Sequence, residues 1–473
     1  MMKIFKTIFF SIILVITADA QIGSLGSADA RSMGMAKTYT STALGVNAIG
    51  INPANLLDDG EYSYNLSTIL PLPRVSIKTG TNFLTINDVN YFFGGVNGES
   101  RILSQADKTR FDNLFKDGGL IFADAQVNLI AFSLKVNSLG AFAFSMNDYA
   151  GTRINFPYAV ADIALNGNAN NTTYSLNDSN VKSWWIRNYS LSFAKDVSEF
   201  FPAVFSTFKA GITLKLVQGF AYAGTDRINT SFKTGSSNQI TGSSDLRALS
   251  AFSQDFGVKY DFDPDSLKSE SNIGPFPSPA GHGFGFDLGV STVINNDWNV
   301  SLAITDIGKI NWDVNAAEYV GYGSIKFDDP TNEAQRDSLK DQIVGKGKRI
   351  SGFSTSLATA IRIGISHYFF GNQFDDSGSL LLAFDMNQGF NDMPGNSTQP
   401  RFSLGAEWKP LAWVPYLRSG ISVGGEIGFN WAVGVGMDAG LVEFNFATSN
   451  MESLVIPNSG KQISLSFGSR WKF

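Results

Sequence analysis

The chain carries only two histidines, His282 and His367, and no cysteine. A nucleophilic site needs a histidine that shares its solvent space with a serine or aspartate. His282 stands at a loop-to-strand entry, Pro279-Ala280-Gly281-His282-Gly283. His367 is in phase with Ile361, Ile363 and Ile365, which places it on an apolar strand face. The histidines have no metal-ligand spacing. Asp261-Phe262-Asp263-Pro264-Asp265-Ser266 begins like a calcium loop, but the central glycine is missing and Asn272 stands where the bidentate glutamate belongs. An acidic solvated loop is the plainer reading. The sequence therefore leads us to expect no catalytic residue, no metal and no cofactor, and a protein that is not an enzyme.

Other charged residues fall into a pattern. Lys135, Lys215, Asp287, Arg362, Asp385, Arg401, Glu407, Arg470 and Lys472 alternate with apolar neighbours along strand-like runs. The run ending the chain is the clearest. Ile463, Leu465, Phe467, Trp471 and Phe473 share one face, while Gln462, Ser464, Ser466, Arg470 and Lys472 share the other. Similar runs hold Phe284, Phe286, Leu288 and Val290; Tyr189, Leu191 and Phe193; and Phe142, Phe144 and Met146. Period-two alternation also fits a soluble sheet with one buried face. Length and repetition favour a membrane barrel, whose strands take about 9–11 tilted residues. Roughly 14 such strands fit between Glu61 and Phe473, and bacterial barrels have an even number.

Composition points the same way. Phe is 39 of 473 residues, Gly is 47, and charged residues are 16%, below the roughly 25% of ordinary soluble domains. Rings on the outside and small residues inside suit a barrel in lipid. A net charge of −6 argues against a nucleic-acid partner.

Residues 1–20 read as a signal peptide: Lys3 and Lys6, an apolar run from Ile8 to Ile16, then Ala18-Asp19-Ala20 before Gln21. Residues 21–58 are rich in Ala, Gly, Ser and Thr and suit a plug, or hatch, rather than a lipid face. Residues 59–473 form the expected barrel. Short turns such as Asn137-Ser138-Leu139-Gly140 and Asn295-Asn296-Asp297 contrast with long polar connections at residues 151–183, 261–283 and 311–352. Residues 99–116 read as a short amphipathic helix. The expected fold is thus an all-β, transmembrane antiparallel barrel of about 14 strands in the cell outer membrane. Phe467, Trp471 and Phe473 would form its membrane-insertion signal, and Arg362, Asp385, Arg401, Glu407 and Arg470 would face its lumen.

Ala30-Arg31-Ser32-Met33-Gly34-Met35-Ala36, followed by Asn52-Pro53-Ala54-Asn55-Leu56, resembles the N-terminal region of the FadL-like superfamily of outer-membrane barrels. That superfamily includes fatty-acid and hydrocarbon channels and PorV-type barrels. The motif-level likeness covers about residues 28–57, with Ala36-Lys37-Thr38 in place of the usual Gly-Gly-Ala. The resemblance implies a plug inside the barrel, with Asn52, Pro53 and Ala54 at its turn. It also implies passage of hydrophobic or amphipathic small molecules, or alternatively a PorV-like scaffold that works with secretion-system proteins. The partners it implies are outer-membrane lipid, the barrel-assembly machinery, and either a hydrophobic small molecule or those secretion proteins. Physically, Pro53 fixes its own φ and pushes Asn52 toward an extended conformation, so the tripeptide is a natural turn.

Overall fold

A computed structural model describes residues 29–473 apart from 59–61, 96–98, 100, 168–170, 202–205, 236–238, 263–270, 295–297, 330, 372–377, 412 and 426–427. The export signal, its junction at Gln21, the calcium-like residues Asp263 to Ser266 and the turn Asn295-Asn296-Asp297 lie outside the described residues.

Fourteen antiparallel strands close on themselves. The first, β1, comes in two pieces, Tyr64–Thr68 and Arg74–Thr81. β2 (Gly119–Val136), β3 (Gly140–Phe156), β4 (Asn180–Asp196) and β5 (Thr207–Ile228) follow. Then come β6 (Gly281–Ile294), β7 (Trp298–Trp312), β8 (Ala360–Phe370) and β9 (Ser379–Gly389). The last are β10 (Arg401–Lys409), β11 (Tyr416–Gly424), β12 (Asn430–Asp438), β13 (Val442–Thr448) and β14 (Gln462–Lys472). Each pairs with its sequence neighbour. β14 then returns to β1, with Asn65 opposite Lys472 and Val75 opposite Phe467. Phe473 completes the seam: its carbonyl accepts from the Ser63 and Tyr64 amides, and its amide donates to the Tyr64 carbonyl at 2.8 Å.

The alternation seen in the sequence is the alternation of the wall. Along β10, Arg401, Ser403, Gly405, Glu407 and Lys409 point inward and are buried, while Phe402, Leu404 and Trp408 point outward and are exposed. Phe284, Leu288, Leu214, Phe384, Ile421 and Leu465 extend the exposed apolar belt around the outside. A belt of that size needs a nonaqueous cover, and in a closed barrel the cover is lipid. No described helix is long and apolar enough to cross a membrane; the strands do the crossing.

The wall is uneven in height. β5 has 22 residues, whereas β10 to β13 have 7 to 9 each. At roughly 3.3 Å per residue, β5 is about 70 Å long, against an apolar band of about 25 Å. Its lower part pairs with β6, and its upper part leaves that partner to pair with Ile240–Phe252. That strand pairs in turn with Ala317–Phe327, which carries Lys346–Arg349 at its side. This crown corrects the reading of residues 151–183 and 311–352 as long loops. β3 runs on to Phe156 and β4 starts at Asn180, and residues 317–327, 333–343 and 346–349 are strand, helix and strand. Crown strands rise beyond the lipid, so their outer face need not be apolar, and they lack the polar–apolar alternation that marks a membrane strand. The helix expected at 99–116 occupies Gln105–Phe115, joined by a second at Ile86–Phe93, both between β1 and β2 at the end of the barrel with the long connections. Ser104 and Thr85 each start their helix through a reciprocal capping box, with Asp107 and Asp88 respectively.

Candidate functional site

Residues 29–58 lie inside the barrel. Almost every side chain in this stretch is buried. The segment contains α1 (Ala30–Gly34) and 3-10 turns at Gly45–Ala48 and Pro53–Leu57. Asp29 caps α1 by accepting from the Arg31 amide at 2.9 Å. Tyr39, Val46, Ile49, Ile51 and Leu56 pack on the small inward residues Ala131, Ala141, Ala143 and Ala194 of β2, β3 and β4.

Glycine prepares the floor on which the segment rests. A methyl group at Gly434 would come within 3.0 Å of the Gly34 backbone. At Gly420 it would meet the Met35 carbonyl carbon at 2.6 Å, and at Gly364 the Ser41 nitrogen at 2.8 Å. Gly211 would meet the Ala54 nitrogen at 2.5 Å, and Gly289 would strike Asn52. These glycines sit at inward positions of β12, β11, β8, β5 and β6, where backbone meets backbone.

Polar contacts tie the segment to the wall; besides Lys209 to Asp58 and Asn299 to the Ser41 carbonyl, three groups of them matter most. Arg31 donates to both oxygens of Glu407, 2.8 Å each, and to the Thr42 carbonyl at 2.7 Å. Arg418 donates to the same carboxylate at 2.5 Å and to Asn445, which donates to Glu443; Arg470 reaches Glu443 from the far side at 2.8 Å. On the neighbouring strand β9, Asp385, opposite Ser403 of β10, accepts from the Tyr39 and Thr40 amides, both 2.9 Å, and from the Thr40 hydroxyl at 2.6 Å. At the third place Asn52 donates to the Val290 carbonyl at 3.1 Å and its side-chain oxygen accepts from the Ala54 amide. Asn52 is extended and Pro53 opens the 3-10 turn, where its missing N–H costs nothing. Charge-assisted bonds of this kind are the strong ones.

The structure thus puts Asn52, Pro53 and Ala54 against β5 and β6, and Glu407 and Asp385 against the lumenal segment. Arg362, Arg401 and Arg470 also point inward and are buried. Phe467 faces outward opposite Val75 and Phe446, and Trp471 and Phe473 stack at 6.4 Å beside the seam. The other inward charges find partners too: Lys215 bridges Asp287 at 2.7 Å and Asp306 at 2.6 Å, and Lys472 reaches Asp438. Lys135 continues the inward register of Ala131 and Ser133. The histidines are not brought together. His282 is opposite Asn311 at one end of its strand, and His367 stacks on Trp298 at 4.6 Å near the other end of the barrel.

Sequence reasoning missed Arg418 and the glycine floor. The signal for the floor was present: glycines at the polar phase of membrane strands, where a serine or threonine would satisfy the same pattern. A third feature, also unforeseen, lies above the segment. At the end with long connections the inward face turns apolar and aromatic. Tyr149, Trp184, Ile186, Val217, Tyr222, Ile310 and Trp312 cluster there, packed with Leu357, Ala358 and Met393 from the connections.

Fold and site together define a transmembrane β-barrel whose lumen holds its own N-terminal segment. The chain belongs to DUF5723, a family of unknown function, by a match over residues 61–449. No curated protein sequence matches it. Among solved structures it is similar to the toluene transporter TodX of Pseudomonas putida, at 11% identity over 96% of this chain and 99% of that one, with a TM-score of 0.46. It is also similar to a FadL homologue of Pseudomonas aeruginosa, at 13% identity over 96% and 100%, with a TM-score of 0.43.

Proposed function

We propose that the protein is an outer-membrane barrel through which small hydrophobic or amphipathic molecules pass, with residues 29–58 as the movable closure. One observation carries this reading. Above the docked segment the lumenal face carries a second apolar, ring-rich cluster, around Trp184, Tyr222 and Trp312, covered by Leu357, Ala358 and Met393 of the connections. An apolar surface lined by rings suits an apolar body once the connections above it move aside, and the hydrogen bonds and ion pairs that hold the segment can be exchanged for water when it is displaced. The surroundings in this reading are outer-membrane lipid, and the barrel-assembly machinery inserts the chain.

A second reading, a non-transporting barrel that carries a secretion-system partner, is favoured by the crown built on β5, which offers a tall one-sided surface beyond the membrane.

The absence of native cysteine allows a clean test. Ala30 packs with Ala447 of β13. An Ala30→Cys, Ala447→Cys pair, oxidised, should tether the segment and bring uptake of a hydrophobic fluorescent probe into proteoliposomes down to background, and reduction should restore it. Uptake that ignores the tether refutes the movable closure. Wild-type protein that transports no probe but recovers a partner in pull-downs through the crown moves the assignment to the scaffold.

A further inference from the structure

Residues 390–400 join two adjacent strands, β9 and β10. Connections normally run over the surface, but this one folds back into the barrel. Met393, Pro394, Gly395, Asn396 and Ser397 are buried, while Phe390 and residues 398–400 stay exposed at the rim. The tip is a tight turn, closed by the Asn396 amide donating to the Met393 carbonyl at 2.9 Å. Pro394 and Gly395, the latter at φ 80°, stand where a type II turn places proline and glycine. Such a turn is stiff, so it carries Met393 as one body. That side chain is 5% exposed and packs in the cluster of Tyr149, Trp184, Tyr222 and Trp312. Methionine is unbranched and polarizable, and fills space between rings without needing a shaped partner.

The bonds that hold the turn in place are polar. Asn391 donates to the Leu357 carbonyl at 2.7 Å, and Asn396 donates to the Thr359 carbonyl at 2.9 Å. The Phe390 amide donates to the same Thr359 carbonyl at 2.8 Å. From β3, Arg153 reaches the Asn396 carbonyl at 3.4 Å, a long bond. Groups released here meet water at the rim, and exchanging such bonds for water costs little. Asn396 Oδ1 is buried without a hydrogen-bond partner, which opposes the closed position.

We infer that residues 390–397 are a lid, and that Met393 fills the place an apolar solute takes among the rings. Solute and Met393 compete for that place, and withdrawal of the lid opens it to the outside. The inference rests on the passage reading for the class of solute. It adds a second closure, at the end with the long connections and separate from residues 29–58.

The test uses the full-length protein in lipid nanodiscs, with 1-naphthol as the probe and empty nanodiscs as the blank. Binding is read from the probe's fluorescence. Met393→Ala should tighten binding roughly tenfold or more, because it removes the competitor. A hole left by that substitution would bind the probe by itself, so Asn391→Ala separates the two causes. It frees the lid from the Leu357 carbonyl and leaves the cluster whole, and should tighten binding roughly threefold. Gly151→Cys with Pro394→Cys ties the turn to β3: a Cβ on Gly151 would stand 2.9 Å from the Pro394 Cβ, somewhat inside the roughly 3.8 Å of a relaxed disulfide. Oxidised, this pair should lose saturable binding; reduced, it should regain it. Binding that ignores the oxidised tether overturns the lid. So does a gain in Met393→Ala that Asn391→Ala does not share, which marks a created hole, and so does the absence of saturable binding in every variant. If the probe binds as expected but proteoliposomes take none up, the lid stands and the passage reading falls. Uptake that persists through the oxidised lid does the reverse.

Discussion

The Glu407 carboxylate lies between two buried arginines, one from the lumenal segment and one from the wall. This geometry makes the two obvious substitutions unequal. Removing one member of a buried pair costs about 3–5 kcal/mol, because the other is left uncompensated. Arg31→Met loses a two-pronged bond to Glu407 and a bond to the Thr42 carbonyl, yet Glu407 keeps Arg418 at 2.5 Å. Its cost belongs at the low end, about 3 kcal/mol. Glu407→Gln strips the countercharge from two guanidiniums at once, with side chains only 4% and 1% exposed, so its cost belongs at the high end, about 5 kcal/mol. Hydrogen exchange reads the difference. If release of residues 29–58 is the local opening that exposes their amides, about 3 kcal/mol makes exchange there roughly a hundredfold faster, and Glu407→Gln should exceed that. Exchange in β2 to β5, far from the change, should stay slow in both variants. The reasoning fails if Arg31→Met equals or exceeds Glu407→Gln, or if neither alters exchange in residues 29–58 while the barrel remains folded.

Gly289→Val should loosen the same segment from the wall side, because its side chain would occupy the place of Asn52 and come within 2.9 Å of Pro53; limited proteolysis between residues 29 and 58 checks this against an unchanged barrel. Phe467→Arg puts a charge into the outward belt and should destabilise the folded barrel by about 2–4 kcal/mol if it lies near the midplane, measured by denaturant titration in lipid vesicles. Deleting Trp471 to Phe473 removes the seam bonds to Ser63 and Tyr64, and should abolish the heat-modifiable band. Hydrogen bonds from Tyr91 and Ser104 hold the Asp107 carboxyl down to about 2. Its support for the helix at Gln105–Phe115 is therefore present above roughly pH 4, the unfolded value, and fades as pH falls toward the folded one. Asp107→Asn should remove the pH dependence of the protection factors, exchange rates corrected for the intrinsic effect of pH, in that helix.

The barrel was legible because lipid outside and water inside impose one residue alternation on every membrane strand. Leu465 and Ser466, or Phe402 and Ser403, announce their faces in any register. The crown was not legible. Ser243, Ser244 and Asp245 alternate with nothing, since both of their faces meet polar surroundings, and their pairing with Ala317–Phe327 spans a distance no local pattern encodes. Glu407 and Asp385 could be placed facing inward, but their partners could not be named. Arg31 and Glu407 are 376 positions apart, and only the closed wall brings them together. The glycine floor was hidden for a related reason. A glycine at an inward position reads as a small residue; that it clears space for another backbone becomes evident only when Gly34 is found against Gly434.

The seam between β1 and β14 also dictates an order of assembly. Asn65 meets Lys472, so the two margins of the sheet are the first and last strands made. No earlier part of the chain can stand in for the missing margin, and an open sheet of this size presents an unpaired edge until β14 is in place. The lumenal segment precedes β1 and is enclosed by all the strands that follow. It must be folded into the curved sheet before the margins zip together, because afterwards the only routes inward are the two ends. Closure thus acts as a checkpoint: a sheet without β14 has a lumen it cannot seal and an edge it cannot hide.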